Sequence, residues 1–430
     1  MTRRLPLLRA AALALAVAVL GGCASSRVPP MGYQGQPFRA EADERQLWAR
    51  ADKEAEKLEQ VNKLYDDPLL EEYLAKVADR LIPNEVKAAR GPGFRCAVFR
   101  DPSLNAFAMP NGRVYIHTGL LARLENEAQL ATILAHELTH VTHRHSLKAF
   151  RDERNKRIFF GVAGIAASIG VAVAAGEQAR QGNPVSAEVL RQTGNVLLGL
   201  GLTLAHAASV TGHHRDLERE ADEEGMARLV AAGYDPKEAP KVFELLRKDY
   251  GDRGPIETFF FGSHPRLTER LEATTHLLRT RYAAEASQPN RIVDTREFSL
   301  RLRTVVRENA LLDLRAGRFN LARAQLDRVL AVTPKDPVAH LYYGDLYRLQ
   351  AQRAKSRDDK QQLVRLAIER YEQCAALDPD FADPFRQLGL LYYQDGQRDR
   401  ARAAFHKYLV LNPNATDSRR IREYILELDQ

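Results

Sequence analysis

Two histidines four residues apart, with a glutamate directly after the first, lie in Ala135-His-Glu-Leu-Thr-His-Val-Thr-His-Arg-His145. On a helix, positions four apart share a face, so His136 and His140 project their imidazoles together, one turn apart. Two nitrogen donors at that spacing suit a single tetrahedral Zn2+. Glu137 sits about 100° round the helix from His136. It can therefore reach a water at the metal without ligating the metal itself. A carboxylate so placed takes the proton of the attacking water and returns it to the leaving amide nitrogen. The chemistry that these residue types serve is peptide hydrolysis, with one Zn2+ per chain.

The elements that must carry these groups follow from periodicity. Leu130, Ile133, Leu134, Leu138 and Val141 recur at helical spacing with no Gly or Pro between them, which predicts one helix over residues 124–147. His143 and His145 read as groups behind the metal or at the surface rather than as ligands. A third ligand has to come from elsewhere. The segment Arg215-Asp-Leu-Glu-Arg-Glu-Ala-Asp-Glu-Glu-Gly225 offers it, because Glu218 and Asp222 are four apart on a second helix. Glu218 would complete a two-His, one-Glu site with an open fourth position. Asp222 would hydrogen-bond a ligating histidine and fix its tautomer, a supporting catalytic role beside Glu137. Glu220 faces away from Asp222's side. Taken alone, the same run would be a solvated charged face.

These motifs resemble the zinc metallopeptidase family that includes the CAAX prenyl protease and the bacterial heat-shock membrane proteases. The resemblance takes in the two helices, the upstream Ser103-Leu-Asn-Ala-Phe-Ala-Met-Pro-Asn-Gly-Arg-Val-Tyr-Ile-His-Thr-Gly-Leu-Leu121 and the downstream Ser263-His-Pro-Arg-Leu-Thr-Glu-Arg270, over roughly residues 65–280. It implies Glu218 as third ligand with Asp222 beside it, and it puts Asn105 and Ala106 on the substrate side of the cleft. It also brings His264 near the metal, where a histidine would occupy or gate the open position and keep the enzyme latent; the alternative is a surface-loop histidine. Asn111-Gly112 is a hairpin-turn dipeptide. The run Arg113-Val-Tyr-Ile-His117 is expected as an edge strand beside the metal helix, to which an extended substrate could add by main-chain bonds.

Length and composition frame the rest. A chain of 430 residues has room for two or three domains. Of its 63 basic residues, Arg3, Arg4 and Arg9 stand in residues 1–22, which hold none of the 56 acids; without them the excess is four. So mild an excess, with no basic patch among aromatics, excludes nucleic acid as the expected partner. Residues 1–22 read as a signal peptide: a basic start, an apolar run, then Leu20-Gly21-Gly22-Cys23. That ending resembles a lipobox, with Cys23 lipidated and the chain tethered on the periplasmic side of the bacterial outer membrane. Residues 23–40 are expected as a tether, 41–285 as the metallopeptidase domain and 286–303 as a polar junction. Cys96 and Cys374 read as single buried thiols. The apolar stretches 158–176 and 195–212 could enter a membrane only as a two-pass hairpin, since the ligands on either side must meet on one face.

Residues 304–430 read as tetratricopeptide repeats. Pro379 to Pro413 spans the 34-residue period, and Pro334 to Pro379 is eleven longer, with the insertion expected in residues 351–362. Tyr342, Tyr343, Tyr392 and Tyr393 fall at matching positions and read as inter-helix core. The expected fold is mainly α: a zincin-like α+β metallopeptidase domain with a small sheet, then an α-solenoid of repeats. The expected function is a membrane-anchored endopeptidase acting on misfolded or stalled envelope polypeptides in outer-membrane quality control. Its repeats would dock substrates or envelope assembly proteins. Two alternatives stay open: a chaperone or assembly factor with a latent metal site, and an inner-membrane stress protease.

Overall fold

The computed structural model describes residues 28–61, 64–160, 212–251 and 267–430. Cys23, His264 and almost all of the two apolar stretches lie outside the described residues. The protein is mainly helical, with one small sheet, and divides into two compact units, Met1–Thr295 and Arg296–Gln430. Among the described residues no helix is long and apolar enough to cross a membrane.

The first unit runs α1 (Ala42–Val61), α2 (Pro68–Leu81), α3 (Asn84–Ala88), β1 (Arg95–Phe99), β2 (Ala106–Ala108), β3 (Arg113–His117), α4 (Thr118–Arg123), α5 (Glu127–Thr142) and α6 (His145–Phe160). It continues with α7 (Gly212–Ala231), α8 (Glu238–Gly251), α9 (Leu267–Thr280) and α10 (Ala283–Ala286). Strand alternation sends Ala97, Phe99, Phe107 and Tyr115 to one face of the sheet, where they pack on Ala51, Ala55 and Leu58 of α1. Val98 and Ile116 are buried on the other face. On that unit's far side α5 packs against α2, α7, α8 and β2.

The sheet order is β1-β3-β2, with β1 parallel and β2 antiparallel to β3. The expectation that Arg113–His117 forms an edge is therefore corrected: it is the central strand. Local alternation marks a strand but not its neighbours, and β1 is recruited from eighteen positions upstream, with Arg95 opposite Arg113. The edge beside α5 is β2. The turn between β2 and β3 closes through Gly112 N–H to the Met109 carbonyl at 3.0 Å. Gly112 has φ +88°, and a Cβ there would lie 2.3 Å from the Gly93 carbonyl oxygen, so only glycine fits.

The expected helix over residues 124–147 is two helices with a break. α5 begins at Glu127 behind an Asn126 cap, whose side chain accepts from Gln129 N–H at 2.9 Å. It ends at Thr142, and Arg144 then adopts φ +58°. A left-handed arginine costs about 1–2 kcal/mol and needs external support. The buried Arg144 guanidinium binds Glu44 at 2.9 and 2.6 Å and the Pro29 carbonyl at 3.3 Å. Met31 N–H caps the Thr142 carbonyl at 2.8 Å. Within the segment expected as a tether, Val28 is buried with Leu47 of α1 and Leu147 of α6, and Met31 is buried at the end of α5.

The segment expected as a junction, 286–303, has two parts. Residues 292–295 dock on the first unit: Ala128 N–H donates to the Val293 carbonyl and Asp235 N–H to that of Ile292, each at 2.9 Å. Helix begins directly at Arg296. The second unit comprises α11 (Arg296–Arg315), α12 (Phe319–Val332), α13 (Pro337–Arg353), α14 (Arg357–Leu377), α15 (Ala382–Gln394), α16 (Arg398–Leu411) and α17 (Ser418–Leu428), each packed on the next. Gly344 and Gly389 sit where a Cβ would lie 2.4 Å from the Tyr371 and Phe405 rings, so each lets the following helix close in. The eleven extra residues are not a loop. α13 has 17 residues against 13 in α15, and α14 has 21 against 14 in α16. Tyr343 and Tyr392 are buried and Tyr342 and Tyr393 partly so. Cys96 and Cys374 are free and buried, and burial pushes both thiols up to about 12.

Candidate metal centre

α5 is fixed at both ends before it presents any functional group. At its start, Glu127 is buried and accepts from the Tyr73 and Tyr234 hydroxyls at 2.8 Å and from Arg80 at 3.3 Å. Glu238 of α8 holds Asn126 and Gln129 at 2.9 and 3.1 Å. At its end, Arg228 of α7 donates to the Thr142 hydroxyl at 2.6 Å. The second helix crosses closely. Gly225 lies against the backbone of His136, where a Cβ would meet the His136 nitrogen at 3.3 Å. Glu218, Asp222 and Gly225 fall at i, i+4 and i+7, one stripe of α7, so the glycine that permits the approach also aims both carboxylates at α5.

The result is a convergence of three donors. His136 Nε2 and His140 Nε2 are 3.0 Å apart, and Glu218 Oε2 and Oε1 lie 3.5 and 3.4 Å from them respectively. A tetrahedral zinc with ligand bonds of about 2.0–2.1 Å has ligand-to-ligand edges of about 3.3 Å. The three distances bracket that value, and two imidazoles with a carboxylate are a zinc donor set, so the residues present fit the ion. His136 and Glu218 are buried and His140 partly so. Glu137, next on the helix, is buried at 1% exposure.

A buried salt bridge stands behind His136. Asp222 Oδ1 is 2.9 Å from His136 Nδ1, and Arg270 of α9 grips the same carboxylate with Nε at 2.8 Å and Nη2 at 2.6 Å. The guanidinium stacks 4.6 Å over the Phe243 ring, and its Nη1 lies 3.6 Å from Glu218. Burial opposes ionisation of Asp222, but the Arg270 charge and the bonds from His136 and Arg270 hold its carboxyl below the usual range. Burial and Arg270 push the His136 pKa down; bonds to Asp222 and Glu218 outweigh them and raise it to about 9. Arg270 closes the downstream motif, yet nothing in its spacing pointed to Asp222, 48 residues away.

Behind His140 stands a different group. His140 Nδ1 is 2.9 Å from His145 Nδ1, and Glu220 receives His143 Nδ1 at 2.7 Å and Lys148 Nζ at 3.0 and 3.2 Å. Burial pushes the His145 imidazole down to about 4. The His143 hydrogen bond, with the nearby His145 ring and Lys148 ammonium, holds the Glu220 carboxyl far below its usual range. Asn105 and Ala106, expected on the substrate side, are buried at 1% and 0% exposure; Asn105 presents its carbonyl to His117 N–H at 2.9 Å.

The sequence of residues 68–278 matches the model described as Peptidase family M48. These residues are an M48 peptidase domain. The domain is of zinc metallopeptidase type, and zinc is its cofactor. The chain is 26% identical over 394 residues to the beta-barrel assembly-enhancing protease of Escherichia coli K12, covering 81% of this chain and 70% of that one. The Yersinia pestis protein of the same name is 32% identical over 42% of this chain and 33% of its own length. Arabidopsis thaliana mitochondrial metalloendopeptidase OMA1 is 29% identical over 38% of this chain and 27% of its own length. The chain thus spans about a third or less of the length of the latter two relatives.

Proposed function

We propose that the M48 domain is an endopeptidase in which His136, His140 and Glu218 hold the zinc, Glu137 moves the proton and Asp222 orients His136. The observation that carries this is the convergence of those three donors at zinc-edge distances on two helices locked together at Gly225. Zinc held there supplies Lewis acidity, polarising a peptide carbonyl and easing loss of a proton from water. Glu137 accepts that proton and delivers it to the leaving nitrogen. Asp222 takes the Nδ1–H of His136, which leaves Nε2 free to ligate; Arg270 keeps Asp222 ionised and in place. β2 is the edge strand next to α5, so an extended substrate pairs with its main chain at Ala106–Ala108. Recognition through backbone makes few demands on side chains, which suits a protease of misfolded polypeptides.

The wider reading rests on the basic-apolar start, Cys23 and the relatives' names. It makes the protein a lipid-anchored envelope protease in outer-membrane protein quality control. The second unit is read as tetratricopeptide repeats, on the 34-residue period and the matched Gly344 and Gly389 contacts, and serves to dock substrates or assembly proteins. His264 remains a proposed gate.

Metal analysis with casein proteolysis tests the site. Wild type and Glu137→Gln should each carry one zinc, with activity down about 10²–10⁴-fold in the variant; Glu218→Gln should lose zinc. Native protein without zinc, or full activity in Glu137→Gln, would overturn the proposal. If Glu137→Gln lost proteolysis yet kept every cellular function, the role would be that of an assembly factor.

A further inference from the structure

His140 uses one ring nitrogen at the metal centre, and the other fixes what must stand behind it. Its Nε2 faces His136 and Glu218 at 3.0 and 3.4 Å. A neutral imidazole that ligates through Nε2 carries its proton on Nδ1. That nitrogen lies 2.9 Å from His145 Nδ1, with the rings at 83°. Only one proton fits between two nitrogens at this distance, so His145 Nδ1 accepts and His145 carries its own proton on Nε2. Glu220 Oε2 lies 3.3 Å from that Nε2. This is the looser link, a close approach rather than a hydrogen bond, but a carboxylate facing Nε2 still selects the protonated form.

We propose, resting on the assignment of His140 as a zinc ligand, that His145 and Glu220 form a positioning relay which holds the His140 ring and its tautomer for metal binding. The two ligating histidines then have different supports: Asp222 with Arg270 behind His136, and a neutral imidazole backed by Glu220 behind His140. The fold is arranged for it. On an unbroken helix a residue five positions on from His140 would face about 140° away. The left-handed Arg144 breaks the helix and turns His145 back onto the ring one turn before it. Backbone strain at that position has a use.

His143, His145 and Glu220 are also close enough to share a second cation, and two observations favour the relay. The Lys148 ammonium already lies on both Glu220 oxygens. A metal on His145 Nε2 would also force a proton onto its Nδ1, directly against the Nδ1–H of His140. One zinc per chain follows.

Zinc affinity measured by chelator competition on the full chain tests the relay, with apo unfolding followed alongside. His145→Ala should bind one zinc about 10–100-fold more weakly, and the visible spectrum of its cobalt-substituted form should shift. The milder Glu220→Gln should weaken zinc in the same direction. His145→Gln, whose carbonyl can accept from His140, should recover part of the loss. Zinc affinity within twofold of wild type in both His145→Ala and Glu220→Gln would overturn the relay. So would a second zinc that disappears in His143→Ala. His140→Ala separates the underlying assignment: if it kept full zinc affinity, the ligand set itself would be wrong, whereas its loss beside an unaffected His145→Ala would refute the relay alone.

Discussion

Arg270→Met is the substitution most diagnostic of how the centre is held. It removes a guanidinium that is fully enclosed, bidentate on Asp222 and 3.6 Å from Glu218, while keeping apolar bulk over Phe243. Both carboxylates are about 95% buried, so solvent cannot replace the lost charge. Breaking a buried pair by deleting one partner costs about 3–5 kcal/mol. At about 2 °C per kcal/mol for a unit of this size, the metal-free protein should melt about 6–10 °C lower. Zinc restores a positive charge beside Glu218 but not on the far side of Asp222, so added zinc should narrow the deficit without closing it. Thermal unfolding by circular dichroism, with chelator and with zinc, measures both. Neutralising the stranded acid as well, in Arg270→Met with Asp222→Asn, should recover about 1–3 kcal/mol through the coupling of the two sites. A metal-free Arg270→Met that melts with wild type, or a double variant no better than the single, would refute the argument.

Two further outcomes follow from the backbone contacts. Gly225→Val should push α7 off α5, because even a Cβ would press on the His136 backbone; we expect zinc affinity to fall at least about 10-fold, read by chelator competition. Arg144→Ala and Arg144→Gly both strand the buried Glu44 and should each lose about 3–5 kcal/mol in urea unfolding. The glycine variant should keep about 1 kcal/mol more than the alanine, since it relieves the left-handed strain; equal losses would remove that account.

What the sequence reveals and what it conceals divide along a physical line. His136, Glu137 and His140, and separately Glu218 and Asp222, were legible because helical spacing decides which residues share a face. The helical character of the second unit was legible as well, from the regular placing of Gly and Pro between its helices. What failed was whatever depends on a partner far along the chain. The helix over residues 124–147 contains no Gly or Pro, and its break at Arg144 is held by Glu44, 100 residues earlier, and by Met31 N–H. Arg113–His117 looked like an edge because alternation carries no record of which strands lie beside it; β1 on one side and β2 on the other make it central.

By itself, then, the sequence determined the donor types, their faces and the reaction they suit, since these are properties of single helices. Tertiary structure decided that the faces meet: a glycine at the crossing, an arginine behind Asp222 and a broken helix that returns His145 to His140. Those are contacts between segments, and only the packed chain brings segments together.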